Sequence, residues 1–199
     1  MTNPPHVPAF SLCVYCGSRP GADLRFADAA CAVGDWIGRH NGQLVYGGGN
    51  NGLMGLVADA TLAAGGTVVG VIPESLVIKE FAKRDCTELH VVQTMHQRKQ
   101  MMAERADAFL ALPGGIGTFE ELFEVWTWRQ LGYHDKPIGV LNVAGYYDTL
   151  HTFLKQSTEA GFMGEWQMDL IRASPTLESL LPALVQSAGL APPDRLENI

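Results

Sequence analysis

The chain reads as a single-domain α/β protein, an open parallel β-sheet with helices on both faces. Three observations carry that expectation. Short apolar runs rich in Val, Ile and Leu alternate with helix-like segments from one end to the other. Most of these runs are continuous rather than polar at every second position, as strands buried on both faces should be. Glycines fall where the intervening helices should stop, at Gly42, Gly65–Gly66 and Gly132. The first strand is expected over Phe10–Cys16, with a helix over Asp23–Arg39 after it. Gln43–Tyr46 and Leu53–Ala64 form the next pair, followed by a strand over Thr67–Ile72. Then come a strand over Glu88–Val92 with a helix over Met95–Arg105, and a strand over Ala108–Leu112 with a helix over Thr118–Leu131. Pro137–Leu141 leads into a helix over Tyr146–Glu159, and Leu170–Ala173 closes the series as a last strand. No internal repeat or interdomain linker interrupts the 199 residues, so one domain is expected over 10–188. Residues 1–9 read as a disordered lead-in and 189–199 as a C-terminal tail.

Composition narrows the function classes. Hydrophobic residues make up 47% and charged residues 18%, the balance of an ordinary folded globule. A net charge of −7 argues against general nucleic-acid binding. It leaves room for a small anionic ligand held by local N–H groups and a few cations. No apolar run approaches the ~18 residues that span a bilayer, so no membrane association is expected. The opening MTNPPHVPAF has neither the basic region nor the long apolar region of a signal peptide. Cys13 and Cys16 have the spacing of a redox or metal pair. On a strand, however, positions i and i+3 face opposite ways. Cys31 and Cys86 are too far apart to supply the second pair of a closed zinc site. Buried thiols in a reducing compartment account for all four, and a cytoplasmic location is the corresponding expectation.

In an open parallel sheet, ligands bind beyond the carboxyl ends of the strands. Three expected strands end there in glycine-bearing loops: CGSRPG after the first, YGGGNNG after the second and LPGGIGT after the fifth. Together they point to a phosphate-bearing ligand, because unpaired N–H groups of such loops and of helix starts favour anions. Gly47–Gly52 also fits G-x-G-x-x-G, with Glu74 about where a ribose-binding acid would lie. An NAD(P)-dependent oxidoreductase is therefore one alternative, although the pattern sits on the second strand unit and Pro73 precedes Glu74. A plain tight turn with close helix packing is the other.

Two helix starts are unusual. Thr94 and Gln97 form a capping-box pattern, which starts a helix at Met95 and puts His96, Arg98 and Lys99 in its first turns. Cations there oppose the helix dipole by ~0.3–1 kcal/mol each. Either this is a solvated basic patch or an anion sits nearby, and the aim of the preceding strand at the ligand edge favours the anion. Thr118 and Glu121 form a second capping-box pattern, in which Glu121 would bond back to the Thr118 N–H. Periodicity places Phe119, Leu122, Phe123 and Trp126 on one side of that helix. Glu120, Glu124 and Thr127 lie on the other, with Glu121 at the edge of the polar face. The residues alone leave a cap and a ligand-facing acid equally open.

The stretches YGGGNNGLMG (46–55), MHQRK (95–99) and LPGGIGTFEEL (112–122) resemble the LONELY GUY (LOG) family of cytokinin riboside 5′-monophosphate phosphoribohydrolases, long labelled lysine decarboxylases. The resemblance runs from about Leu12 to Leu184 and includes GVIPESL, TWRQLGYHDKPIGVLN and GYYDTL. It implies a Rossmann-like sheet, a homodimer, and no metal or redox cofactor. It also implies a nucleoside 5′-monophosphate substrate, adenosine 5′-monophosphate and often its N6-prenylated form, cleaved at the N-glycosidic bond to free base and ribose 5-phosphate. Carried over by position, Arg98 and Glu121 form the catalytic pair. Glu80, Arg98, Lys99, Gly114, Gly115, Ile116, Gly117, Thr118, Phe119, Glu120 and Thr127 line the substrate site, with Gly17, Ser18, Gly48, Gly49 and Met54 near the phosphate. Ile116 stands where tyrosine is frequent, Phe119 where leucine is frequent and Asn51 where valine is frequent. These departures leave the chemistry intact and bear on base preference. A related non-catalytic class, the molybdenum-cofactor carriers, shares glycine-rich loops on a similar fold, and the joint presence of Arg98–Lys99 and Glu121 argues against it. The segment EVWTWRQLGYH has the apolar, exposed character expected of a subunit contact.

Overall fold

The computed structural model describes residues 7–78 and 81–189, so Glu80 and most of the expected lead-in and tail lie outside the described residues. One sheet is built from β1 (Ser11–Tyr15), β2 (Gln43–Tyr46), β3 (Thr67–Pro73), β4 (Glu88–Val92), β5 (Ala108–Ala111), β6 (Ile138–Leu141) and β7 (Ile171–Ser174). The strand order is β4-β3-β2-β1-β5-β6-β7, and every neighbouring pair is parallel. The helices are α1 (Leu24–Arg39), α2 (Gly52–Ala63), α3 (Met95–Arg105), α4 (Ile116–Gln130), α5 (Asp148–Glu159), α6 (Glu165–Met168) and α7 (Leu177–Ala188). No helix among the described residues is long and apolar enough to cross a membrane.

Alternation along the strands sorts their side chains into two apolar layers. Leu12, Val14, Leu44, Tyr46 and Leu110 join Val33 and Ile37 of α1, Val57 of α2 and Leu180 and Leu184 of α7. Cys13, Val45, Val71, Phe109 and Val140 join Met102 of α3, Leu122, Val125 and Trp126 of α4 and Leu154 of α5. Helices on both faces explain why the inner strands carry no polar alternation. The same alternation puts Cys13 and Cys16 in opposite layers, and all four cysteines are unbridged. Helices α1 and α2 approach closely because Gly34 and Gly38 carry no side chain. A Cβ on Gly34 would lie 2.4 Å from the Val57 carbonyl oxygen, and one on Gly38 would lie 2.5 Å from the Ala64 Cβ.

Four helices depart from the sequence reading: α6 and α7 have no counterpart in it, α5 starts at Asp148 rather than Tyr146, and α4 starts early. Pro182 inside α7 interrupts the helical pattern. Helix α4 starts at Ile116, two residues before the expected Thr118, with Gly115 as its N-cap. The expected Thr118–Glu121 capping box therefore does not exist. Thr118 is already the third helical residue, and no acid lies in the first turn. The Thr94–Gln97 box, by contrast, is complete: the Gln97 N–H donates to Thr94 Oγ1 at 3.1 Å and the Thr94 N–H to Gln97 Oε1 at 3.2 Å.

Buried His134 ties the middle of α4 to the approach to β6. Its Nε2 donates to the Val125 carbonyl at 2.9 Å, and its Nδ1 accepts the Lys136 N–H at 3.1 Å. Burial pushes the imidazole down to about 4. In the unfolded chain it titrates near ~6.5, so the unfolded state binds more protons between those values. The stability contributed by neutral His134 is full above that upper value and is lost as pH falls through about 4. Chemical denaturation across this range should show falling stability on acidification, with a shallower slope in His134→Gln; equal slopes would remove this group from the account. Gly34→Ala should overpack the α1–α2 contact and lower stability by ~1–3 kcal/mol, read as a lower Tm.

Candidate active site

The direction of strand order reverses between β1 and β5, and a crevice opens beyond the strand ends at such a point. A cavity of about 440 Å³ lies there. Its walls come from the loop after β1, from Gly47 after β2, from Leu53 and Met54 of α2, from Arg98 of α3, from the β5–α4 loop with Glu121, and from Tyr146.

The β5–α4 loop has the features that suit an anion. An ideal Cβ on Gly115 or Gly117 would meet no protein atom within 4 Å, and neither residue has a positive φ. Neither packing nor backbone strain requires glycine at these two positions, and both border the cavity. Gly114 differs, because a Cβ there would lie 2.1 Å from Thr118 Oγ1. Its bare backbone lets the buried Thr118 hydroxyl close against the loop. The start of α4 has no side-chain cap, so its first N–H groups are the kind that receive a phosphate.

Arg98 is 4% exposed. Its Nε donates to the Val71 carbonyl at 3.1 Å and its Nη2 to the Gly47 carbonyl at 2.9 Å. A Cβ on Gly47 would lie 1.9 Å from that Nη2, so the first glycine of GGGNNG is there to admit the guanidinium. Glu121, in the second turn of α4, lines the same cavity. Cys16 lines it too, but burial, with the nearby Glu121 charge, pushes its thiol far up. A thiol that keeps its proton is no nucleophile.

The sequence-derived site residues divide. Gly17, Ser18, Met54, Arg98, Gly114, Gly115, Ile116, Gly117, Thr118 and Glu121 meet at the cavity. Gly48 and Gly49 turn away from it: Gly48, at φ 76°, accepts the Lys83 N–H at 2.9 Å, and Gly49 bridges to Ala82. Lys99 lies outside the lining, where its Nζ donates to Glu120 Oε1 at 2.7 Å and Glu124 Oε1 at 2.8 Å. Burial works to lower the Lys99 ammonium, but the two carboxylates prevail and hold it above its ordinary value. Phe119 packs against the rings of Tyr146 and Tyr147, and Thr127 Oγ1 donates to the Phe123 carbonyl at 2.7 Å. Glu80 lies outside the described residues. Gly47 and Tyr146 border the cavity without having been singled out. The only signals for them were membership of a glycine run and of GYYDTL.

The dinucleotide fingerprint gives way on geometry. The Leu53 N–H at the start of α2 donates to the Gly17 carbonyl at 2.9 Å, and a Cβ on Gly52 would lie 2.4 Å from the Arg19 nitrogen. The protein's own β1–α1 loop fills the place where a pyrophosphate would sit.

A family model described as "possible lysine decarboxylase" matches residues 54–184. Two cytokinin riboside 5′-monophosphate phosphoribohydrolases of Arabidopsis thaliana, LOG3 and LOG2, are 46% and 47% identical to the chain. These matches cover 89% and 87% of this chain and 82% and 81% of theirs. The chain belongs to the LOG family. The older decarboxylase label finds no support in this LOG-family site, because no lysine among the described residues lines the cavity. Lys83 pairs with Asp59 and Asp85, Lys99 with Glu120 and Glu124, and Lys136 Nζ donates to the Ala103 carbonyl. These residues do not fit a pyridoxal-phosphate Schiff base. A molybdenum-cofactor carrier protein of Chlamydomonas reinhardtii matches with a TM-score of 0.66 over 90% of this chain and 97% of its own. At 18% identity that likeness shows the fold alone.

Alanine at Gly115 or Gly117 should hold or slightly raise Tm and weaken inorganic phosphate binding by about tenfold, a loss of ~1.4 kcal/mol, in calorimetric titration. Unchanged affinity in both variants would show that the anion sits elsewhere.

Proposed function

We propose that the protein hydrolyses the N-glycosidic bond of adenosine 5′-monophosphate or an N6-modified form of it, releasing the free base and ribose 5-phosphate. The observation that carries this reading is the joint lining of one cavity by the open-faced Gly115–Gly117 loop, a buried arginine and a carboxylate. Relatives named for this activity, at 46–47% identity, support it. Breaking a ribosyl C–N bond builds positive, oxocarbenium-like charge at C1′. A carboxylate beside C1′ stabilises that charge and can activate water, and among the described residues Glu121 is the acid that lines the cavity. Arg98, fixed from behind by two carbonyls, orients the substrate and Glu121 and assists departure of the base. The N–H groups of Gly114–Thr118 hold the 5′-phosphate, so that binding energy from the unreactive end positions the reacting end.

The proposal includes a homodimer acting in the cytoplasm, with residues 10–188 as its catalytic domain. Lys99, Phe119, Glu120 and Thr127 belong to the substrate set carried over from the family yet lie outside this cavity. A second copy against the α3–α4 surface is the arrangement that lets them serve a bound nucleotide. The four unbridged cysteines suit a reducing compartment.

Incubation with adenosine 5′-monophosphate and with its N6-isopentenyl form should release free base, resolved by chromatography. A well-folded protein that cleaves neither overturns the reading. Glu121→Gln should lower kcat by about 10²–10⁴-fold, the range for a lost acid–base or charge-stabilising group. Glu121 caps no helix, so the loss of activity is not the loss of a helix cap.

A further inference from the structure

Three consecutive carbonyls of the phosphate loop are each engaged by a donor from another part of the chain. Leu112 O accepts from Tyr147 Oη at 2.7 Å, Pro113 O from the Gly17 N–H at 3.1 Å and Gly114 O from Tyr146 Oη at 2.5 Å. The consequences differ along the loop. The Leu112–Pro113 peptide has no N–H, so Tyr147 secures an oxygen without aiming a donor. The Gly114–Gly115 peptide does have one, and it lies between two glycines. Glycine reaches both signs of φ with little penalty, so such a peptide plane can turn over and exchange the faces of its N–H and C=O. A turned plane would offer an anion an oxygen in place of a hydrogen. The Tyr146 hydroxyl, by gripping the Gly114 oxygen, selects one of the two orientations.

Tyr146 is itself held for this task. It follows a tight connection in which Ala144 and Gly145 both have positive φ, 55° and 74°. Asn142 closes that connection, accepting the Tyr147 N–H at 2.7 Å and donating to Asp148 Oδ1 at 2.7 Å. The Tyr146 ring meets Phe26 and Tyr147 edge-on, with centroids 5.5 and 5.0 Å apart, and it borders the cavity. At 39% exposure it is only partly packed, whereas Tyr147 is 4% exposed.

We propose that Tyr146 is a positioning residue for phosphate recognition: its phenol locks the Gly114–Gly115 peptide so that the loop presents donors to the 5′-phosphate. Tyr147 makes the matching bond two peptides earlier and serves stability alone. The assignment rests on the phosphate placement given under the proposed function.

Tyr146→Phe and Tyr147→Phe, measured side by side, separate these roles. For Tyr146→Phe, KM for adenosine 5′-monophosphate should rise about tenfold and kcat should fall by a smaller factor, because the phosphate grip both binds the substrate and positions its reacting end. Competitive inhibition by ribose 5-phosphate should weaken in step with KM. Hydrolysis of adenosine, which lacks the phosphate, should keep its kcat/KM, and Tm should hold. Tyr147→Phe should lower Tm, because a buried carbonyl loses its donor, and leave KM alone. Unchanged KM and inhibition in Tyr146→Phe, or an equal loss with adenosine, would overturn the proposal. If the wild type cleaves no nucleotide but binds ribose 5-phosphate, the hydrolase reading fails, and calorimetry of both proteins with that sugar phosphate still decides the role of Tyr146. If the wild type does not bind it, both readings fall.

Discussion

A guanidinium buried at the wall of the cavity is the constraint around which the site is arranged. Withdrawing a charge from water costs several kcal/mol unless the surroundings supply polar partners. Arg98 finds two of them in the carbonyls of Val71, within β3, and Gly47, just past the adjacent strand β2. That position dictates much of its neighbourhood. Residue 47 can carry no side chain, and α3 must enter with its first turns over the strand ends. The Thr94–Gln97 capping box fixes this entry, setting which helical residue turns inward and which outward. Arg98 turns in, and Lys99, one position on, turns out to a pair of carboxylates on α4. A cation near a helix start opposes the helix dipole. The fold keeps it there, facing the space in front of the glycine loop.

In the proposed function, cation, glycine loop and carboxylate answer different parts of one ligand. N–H groups at a helix start offer partial positive charge to a phosphate. A carboxylate in the next turn of the same helix offers negative charge to a reacting sugar. Placing both on α4 fixes the separation between them rigidly, as 1.5 Å of rise per residue. The strand-order reversal between β1 and β5 creates the opening into which both project.

Much of this was legible before the structure. All seven strands lie within, or at most one residue beyond, the expected runs, and the inner ones do so because a doubly covered parallel strand writes itself as an almost uninterrupted apolar run. The edge strand β7, displaced by one residue, is partly exposed and wrote a weaker signal. The start of α4 was misread because Thr118 and Glu121 imitate a capping box, whereas the true N-cap is Gly115, which has no side chain to announce it. The site was legible as three glycine loops at one sheet edge, but not as roles. Neighbouring helical positions point about 100° apart, a consequence of 3.6 residues per turn. Whether Glu120 or Glu121 enters the cavity therefore depends on how α4 is rotated against the sheet, which sequence periodicity left at the margin. The same holds for Gly47 against Gly48 and Gly49, which only the path of the turn distinguishes. Tyr146 was the least legible, because its bond to Gly114 spans 32 residues and leaves no local pattern.

A crystal structure of Glu121→Gln with adenosine 5′-monophosphate bound tests the central claim most directly. The account predicts the phosphate against the N–H groups of Gly114–Thr118, C1′ beside the residue 121 side chain and Arg98 along the ribose. A nucleotide bound in the reverse sense, with its base in the glycine loop, or a phosphate held at the start of α2 or by Lys99, would contradict it.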